Sequence, residues 1–94
     1  MLATEKSIID RFASELKDDV MPYDTLPHLP CLTEDDREQI RYKQEREGPR
    51  AAVPILLGQL KRRPNGFEQL LTALECTGCK HLKKSLHDAT KGEN

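Results

Sequence analysis

The stretch from Leu26 to Thr33, Leu-Pro-His-Leu-Pro-Cys-Leu-Thr, constrains the fold more than any other part of this sequence. Pro30 lacks an N–H and disfavours helical backbone in the residue before it, so a helix should end here. Thr33 is a favourable N-cap residue, and Asp36 three positions later completes an aspartate version of the capping box. Acidic residues at 34–36 suit the first turn of a helix. The sequence therefore predicts that one helix ends, the chain turns a tight corner, and a charged helix begins after Thr33.

Elsewhere, apolar residues recur at the spacing i, i+3, i+4, i+7, which places them on one face of an α-helix. Such stripes begin at Ile9, Val53 and Phe67, and a shorter one begins at Cys79. No segment alternates apolar and polar residues, and no hairpin dipeptide separates strand-like runs. The sequence therefore predicts an all-α fold, a six-helix antiparallel bundle. The residues expected in its core include Ile9, Phe12, Leu16, Leu29, Ile40, Leu56, Leu60, Leu70, Leu71, Leu74 and Leu82.

Residues that cap or break helices set the expected boundaries. Asp19 can cap the second helix, and Gly48-Pro49 should end the third helix and open the fourth. Pro54 lies inside the fourth stripe, so that helix should either start late or kink. Gly78 suits the end of the fifth helix. Residues 91–94 should fray.

The length and composition indicate one small domain and exclude several classes of function. A chain of 94 residues can bury one core but leaves little room for a deep catalytic pocket. The net charge of −1 argues against a general nucleic-acid-binding domain, which would carry a clear basic excess. No apolar run is long enough to span a membrane, and the N-terminus lacks the layout of a signal peptide. Three cysteines without a secretory signal predict reduced thiols in the cytosol.

Charge is distributed unevenly along the chain, which suggests an electrostatic contact surface. Residues 1–47 hold 12 acids and 7 bases, whereas residues 48–94 hold 4 acids and 8 bases. An uneven but solvated surface would explain this pattern equally well. The sharper interpretation pairs a basic patch with an acidic patch, and such a head-to-tail contact can propagate into a filament. The basic patch is Lys61, Arg62 and Arg63, and the acidic patch is Asp18, Asp19, Asp24, Asp35 and Asp36.

The cysteines raise a second possibility, a small metal- or redox-sensing domain. Cys76-Thr-Gly-Cys79 is a C-x-x-C motif, and His28, Cys31 and His81 could supply further zinc ligands. A single C-x-x-C is weak evidence, since each cysteine can equally be a small buried apolar residue beside a helix break. The spacing selects no nucleophile–base pair, and there is no glycine-rich phosphate loop or H-E-x-x-H motif. The sequence therefore favours neither catalysis nor a cofactor.

Over roughly residues 4–90 the chain resembles the caspase recruitment domains, six-helix members of the death-fold superfamily. The resemblance rests on the Leu26–Thr33 corner, the Lys61–Pro64 turn and the segment from Phe67 to Gly78. Within the family, Leu-Pro-x-Leu-Pro-Cys-Leu-Thr and Arg-Arg-Pro are most similar to the mitochondrial antiviral-signalling adaptor and to the RNA-sensing helicases that signal to it. In two places the chain differs from that adaptor. Gly66-Phe67 stands where the adaptor has Gly-Trp, and Asp35 stands where it has a base.

The resemblance implies a death-fold (Greek-key) bundle over residues 1–94 and a non-enzymatic adaptor for innate antiviral or apoptotic signalling. Such domains bind others of the same fold and often form helical oligomers, so the implied partners are further copies and the caspase recruitment domains of an antiviral adaptor or RNA-sensing helicase. No nucleic acid, membrane or cofactor is expected to bind this segment. It would be cytoplasmic, the soluble N-terminal piece of a protein tethered to the mitochondrial outer membrane. Phe67 is a candidate apolar contact.

Overall fold

The computed structural model describes residues 1–92, which form seven α-helices and one 3₁₀ helix without a β-strand in that range. The all-helical prediction is confirmed. The helices are α1 (Ala3–Arg11), α2 (Ala13–Asp19), α3 (Pro22–Thr25), α4 (Glu34–Glu47), α5 (Pro49–Lys61), α6 (Gly66–Cys76) and α7 (Lys80–Gly92), and the 3₁₀ helix spans Leu26–His28 between α3 and α4.

The predicted number of six helices is wrong, because the first predicted helix divides into α1 and α2. Phe12 separates them with φ −100° and ψ 12°, outside the helical range. Its N–H still donates to the Ile8 carbonyl at 3.1 Å, so the break is a local irregularity in a nearly continuous segment. The second predicted helix is shorter than expected. It begins at Pro22 after Met21, so Asp19 does not cap it.

The corner after the 3₁₀ helix forms as the sequence predicts. The Asp36 N–H donates to Thr33 Oγ1 at 3.2 Å, and the Thr33 N–H donates to Asp36 Oδ2 at 3.1 Å. These two bonds make the reciprocal capping box and fix where α4 begins.

Glycine ends two of the later helices at positive φ. Gly48 has φ 94° and lets α4 turn sharply into α5, so α4 and α5 pack along each other. Gly78 has φ 84°, and beyond it the Cys79 N–H donates to the Leu74 carbonyl at 2.8 Å. That bond closes α6 in a Schellman arrangement. Pro54 is exposed and α5 runs through it from Pro49, so the helix does not start late.

The core is almost entirely aliphatic, and nine of the eleven predicted core residues are buried. Phe12 and Leu71 are the exceptions. Both are partly buried and pack against the core from its edge, Phe12 at the break after α1 and Leu71 at the side of α6. The buried apolar core residues outside the predicted set are Ile8, Val20, Leu26, Leu32, Ala52, Val53, Leu57, Phe67, Ala73, Cys79 and Leu86.

Gly66 at the start of α6 is buried because the backbone approaches it closely. A β-carbon at this position would collide with the Leu60 carbonyl oxygen. Only glycine therefore lets the turn after α5 close this tightly. At the other end of α6 the chain enters α7, which continues through Gly92. Lys91 and Gly92 of the predicted frayed tail are therefore helical, and residues 93–94 lie outside the described range.

Candidate interaction surfaces

The structure brings the predicted basic patch against the start of α4. Arg63 Nη2 lies 2.5 Å from Asp36 Oδ2, and the two side chains are 33% and 12% exposed. Arg63 and Asp36 were each predicted to lie on an interaction patch. They instead form a half-buried salt bridge that ties the end of α5 to the cap of α4, so neither is free to contact a partner.

The Asp36 carboxylate is held in its charged form by these neighbours. Burial opposes ionisation, but hydrogen bonds from the Thr33 N–H, from Arg63 and from the Thr33 hydroxyl outweigh it. The pKa of Asp36 therefore lies below its ordinary value. A charged Asp36 caps α4 and neutralises Arg63 at the same time.

Other members of the two patches also have partners within the domain. Lys61 bonds to Asp10, and Asp18 bonds to Arg50. Asp19 Oδ2 lies 2.9 Å from His81 Nε2.

Three members remain exposed with no side-chain partner among residues 1–92, namely Asp24, Asp35 and Arg62. The two patches are thus reduced to Asp24 on α3, and to Asp35 and Arg62 at the corner held by the Arg63–Asp36 pair.

Two polar side chains that hold the corner were not predicted. Arg37 donates from Nη1 to the Leu26 carbonyl and from Nη2 to the Leu29 carbonyl, both at 2.9 Å. Gln69 Oε1 accepts from the Cys31 N–H at 2.8 Å and so connects the corner to α6. Pro30 indicates that backbone carbonyls before it lose their helical hydrogen bonds. Such carbonyls need other donors, and this is the signal that could have pointed to Arg37. Nothing in the sequence identifies Gln69 as the acceptor.

Phe67 is 4% exposed and belongs to the core. The expectation that it forms an apolar surface contact is therefore wrong in this structure, because the ring faces inward at the start of α6. The larger apolar side chains that are exposed are Leu2, Met21, Tyr23 and Tyr42. Tyr23 lines an open groove of about 290 Å³ between α3 and α4, and its hydroxyl donates to Glu45 Oε1 at 3.1 Å.

The cysteines do not converge on a metal site. Cys76 is exposed, Cys31 is half-buried, and Cys79 is buried with its thiol 3.5 Å from the Asp19 carbonyl. Burial raises the pKa of the Cys31 thiol despite nearby Arg63 and Arg37. Within residues 1–92 no three histidine, cysteine or acidic residues lie close enough to hold a metal ion.

Comparison with protein families gives a match. A family model described as the caspase recruitment domain matches residues 1–90. The chain belongs to the caspase recruitment domain family. Comparison with curated proteins finds no match, and comparison with solved structures finds none either.

Caspase recruitment domains are protein-interaction modules that bind other domains of the death fold. Among the described residues, the surface available for such contacts includes charged helix faces and open grooves. Across the described residues, none of the helices is both long enough and apolar enough to cross a bilayer.

Proposed function

We propose that this domain is a non-enzymatic adaptor module that associates with itself and with other caspase recruitment domains in innate antiviral or apoptotic signalling. The observation that carries this proposal is the family match over residues 1–90. It covers every helix of the bundle except the last two residues of α7.

The free charges favour a head-to-tail contact. Arg62 lies just past the end of α5, and Asp24 lies on α3. Both are exposed, and neither has a side-chain partner among the described residues. If Arg62 of one copy meets Asp24 of another, the two contacting surfaces differ, and the contact can repeat without closing. Arg63 does not take part, because Asp36 already binds it.

The proposed partners follow from the two short motifs that the sequence shares with one branch of the family. Leu26–Thr33 and Arg62-Arg63-Pro64 resemble the mitochondrial antiviral-signalling adaptor and the RNA-sensing helicases that signal to it. We place the domain in that branch, in the cytoplasm, as the signalling end of a protein tethered to the mitochondrial outer membrane.

Self-association is tested by sizing the purified domain and imaging it by negative stain at low and high salt. We expect oligomers at low salt that shrink as salt rises, because the screening length falls from about 10 Å at 0.1 M to about 3 Å at 1 M. Arg62→Glu and Asp24→Lys should each weaken assembly, and a mixture of the two should regain it, because every Arg62–Asp24 contact between unlike copies then joins opposite charges. Lys6→Glu, at an exposed lysine on α1, is the matched control and should assemble like the wild type. Wild-type protein that stays monomeric at high concentration and low salt would refute self-association.

Partner choice is tested by binding the immobilised domain to purified caspase recruitment domains. The antiviral assignment predicts binding to domains from RNA-sensing helicases and weaker binding to those from apoptotic caspases. The reverse order would move the protein to apoptotic signalling, and binding to neither would leave self-association as its only supported activity.

A further inference from the structure

One exposed face of α7 carries a line of basic residues. Lys80, Lys84, His87 and Lys91 are all exposed and are spaced i, i+4, i+7, i+11. At 3.6 residues per turn these positions fall within about 60° of one another, and they extend about 16 Å along the helix. We call these four residues the α7 basic face. The opposite side of α7, with Leu82 and Leu86, is buried in the core.

The fold leaves the charges of this face available. None of its three lysines has a hydrogen-bond or ion-pair partner among residues 1–92. Lys83, beside them, is already bound to Glu75 at 3.0 Å. An open groove of about 340 Å³ is lined by Lys80, Lys83, Lys84 and His87 and by Glu75, whose carboxylate Lys83 already binds. The α7 basic face is therefore a cationic surface with space beside it for an anionic side chain.

An acidic face with the same spacing lies on α4. Glu34, Glu38 and Glu45 are exposed and are separated by four and seven residues, as are Lys80, Lys84 and Lys91. Glu38 has no partner among the described residues. The Arg41 guanidinium is 3.9 Å from the Glu34 carboxylate, and Glu45 accepts only from the Tyr23 hydroxyl. We call these three glutamates the α4 acidic face.

We propose that the α7 basic face of one copy binds the α4 acidic face of a second copy of this chain, with the two helices parallel. The inference rests on the proposed self-association and adds a second contact to it, one that involves none of the residues of the two predicted patches. Three carboxylates with the axial spacing of three ammonium groups support a second copy over an unrelated anion. The pairs are Lys80 with Glu34, Lys84 with Glu38 and Lys91 with Glu45.

The fourth position of each face adds no attraction. There His87 would stand opposite Arg41, and neither residue is an anion. The contact is therefore made by three lysine–glutamate pairs, and the pairing of these faces is selected by the spacing of the charges, not by their number alone.

The two faces lie on different sides of the bundle. Helix α4 packs chiefly against α5, and α7 packs chiefly against α6 and α1. The contact is consequently head-to-tail, and each added copy presents a free α7 or α4 face to the next. Because the pairs are solvent-exposed, each contributes little alone, and binding should depend strongly on salt and on copy number.

The test uses two double variants, Lys80→Glu with Lys84→Glu and Glu34→Lys with Glu38→Lys. Self-association is measured by sedimentation velocity at low salt. Each variant alone should associate about tenfold more weakly than the wild type or worse, since two attractive pairs become repulsive. An equimolar mixture should regain association, because each variant supplies the face that matches the other.

The matched control is Glu15→Lys with Glu68→Lys, which makes the same charge change at two exposed glutamates outside α4. By itself it should associate like the wild type, because both faces are intact, whereas an effect of net charge alone would weaken its association as much as that of the α4 variant. Circular dichroism checks that each variant folds. If the α4 variant loses helix, Glu34→Gln with Glu38→Gln takes its place, and it should weaken association less than the reversal.

The outcomes separate this inference from the proposed function. If the wild type associates and the α7 variant associates equally well, the α7–α4 contact is wrong while the adaptor proposal stands. A control variant that associates as weakly as the α4 variant also overturns it, and so does α7-dependent binding that occurs only on anionic vesicles. If the wild type does not associate at all, the proposed self-association fails, and this contact fails with it.

Discussion

The corner at the start of α4 and the exposed face of α7 contain the same kinds of residue but use them in opposite ways. At the corner, Asp36 binds Arg63, and Arg37 donates to two backbone carbonyls before it, so these three charges have partners inside the domain. On α7, Lys80 and Lys84 are exposed and form no hydrogen bond or ion pair with any described residue. The difference is made by what the fold places beside each charge, and it separates charges that stabilise the domain from charges that can bind another molecule.

The run Lys61-Arg62-Arg63 shows this difference within three consecutive residues. Lys61 bonds to Asp10 at the surface, Arg62 has no side-chain partner within residues 1–92, and Arg63 is half-buried against Asp36. In the sequence alone, these three residues form one basic patch. The structure contains a surface ion pair, a candidate binding residue and a residue that holds two helices together.

The largest effect expected is at Arg63. Arg63→Glu removes the partner of the nearly buried Asp36 carboxylate and places a second negative charge beside it. The free energy of unfolding should therefore fall by about 3 kcal/mol. Arg62→Glu makes the same chemical change one residue earlier at an exposed site and should cost less than about 0.5 kcal/mol. Urea denaturation of both variants measures the two values. If the two variants lost equal unfolding free energy, Arg63 would not differ from Arg62 in its contribution to stability, and the distinction between the corner and the exposed surface would be wrong.

A smaller loss is expected at Arg37. Arg37→Ala removes two charged hydrogen bonds to backbone carbonyls, which predicts a loss of about 2 kcal/mol of unfolding free energy. Arg41→Ala, one turn later on α4, is the matched control, because its one ion pair within residues 1–92 is with the exposed Glu34, at 3.9 Å. The control should lie within about 0.5 kcal/mol of the wild type. Thermal melts followed by circular dichroism compare the two, and an Arg37 variant as stable as the Arg41 control would show that the carbonyls are satisfied by water.

Local signals predicted much of this fold. The capping box at Thr33, the turn at Gly48-Pro49 and the cap at Gly78 depend on residues within a few positions of one another, and all three form. The apolar stripes likewise identified most of the core, because helical periodicity determines which side of a helix faces inward. The number of helices was wrong because the break at Phe12 involves no proline or glycine that would mark it.

The candidate site was predicted less well, because it depends on contacts between distant residues. Asp36 and Arg63 are 27 positions apart, and no local pattern indicates that α4 and α5 bring them together. The burial of Phe67 could not be predicted for the same reason, since it depends on the helices that cover this ring. Three charges of the predicted patches have no side-chain partner within the described range, namely Asp24, Asp35 and Arg62. Periodicity and composition cannot identify them in advance.

A third prediction concerns the pH dependence of the corner. The pKa of Asp36 lies below its ordinary value of 3.8, so its charged form is favoured by folding. Its contribution is therefore complete above that value and is lost as the pH falls through the lower folded-state pKa. Asp36→Asn should cost about 1–2 kcal/mol at pH 7.

The loss of unfolding free energy caused by Asp36→Asn should become smaller as the pH falls below 4. Denaturation curves of the variant and the wild type, collected from pH 7 down to pH 2, test this directly. A difference that stays constant over that range would mean that the carboxylate charge contributes nothing to the corner.

The smallest effect on stability is expected on α7. This region gives the sharpest test of the comparison with the corner, because stability and association should respond differently there. Lys80→Glu with Lys84→Glu reverses two charges, yet unfolding free energy should change by less than about 0.5 kcal/mol, since neither lysine has a partner among the described residues. The same double change should still weaken self-association, which a purely structural residue would not do without loss of stability. Stability by urea denaturation and association by sedimentation should thus respond independently on α7, whereas Arg63→Glu should reduce both together because it unfolds the surface that binds. An α7 variant that lost several kcal/mol would show that these lysines are part of the fold, and the contrast between the two regions would then be false.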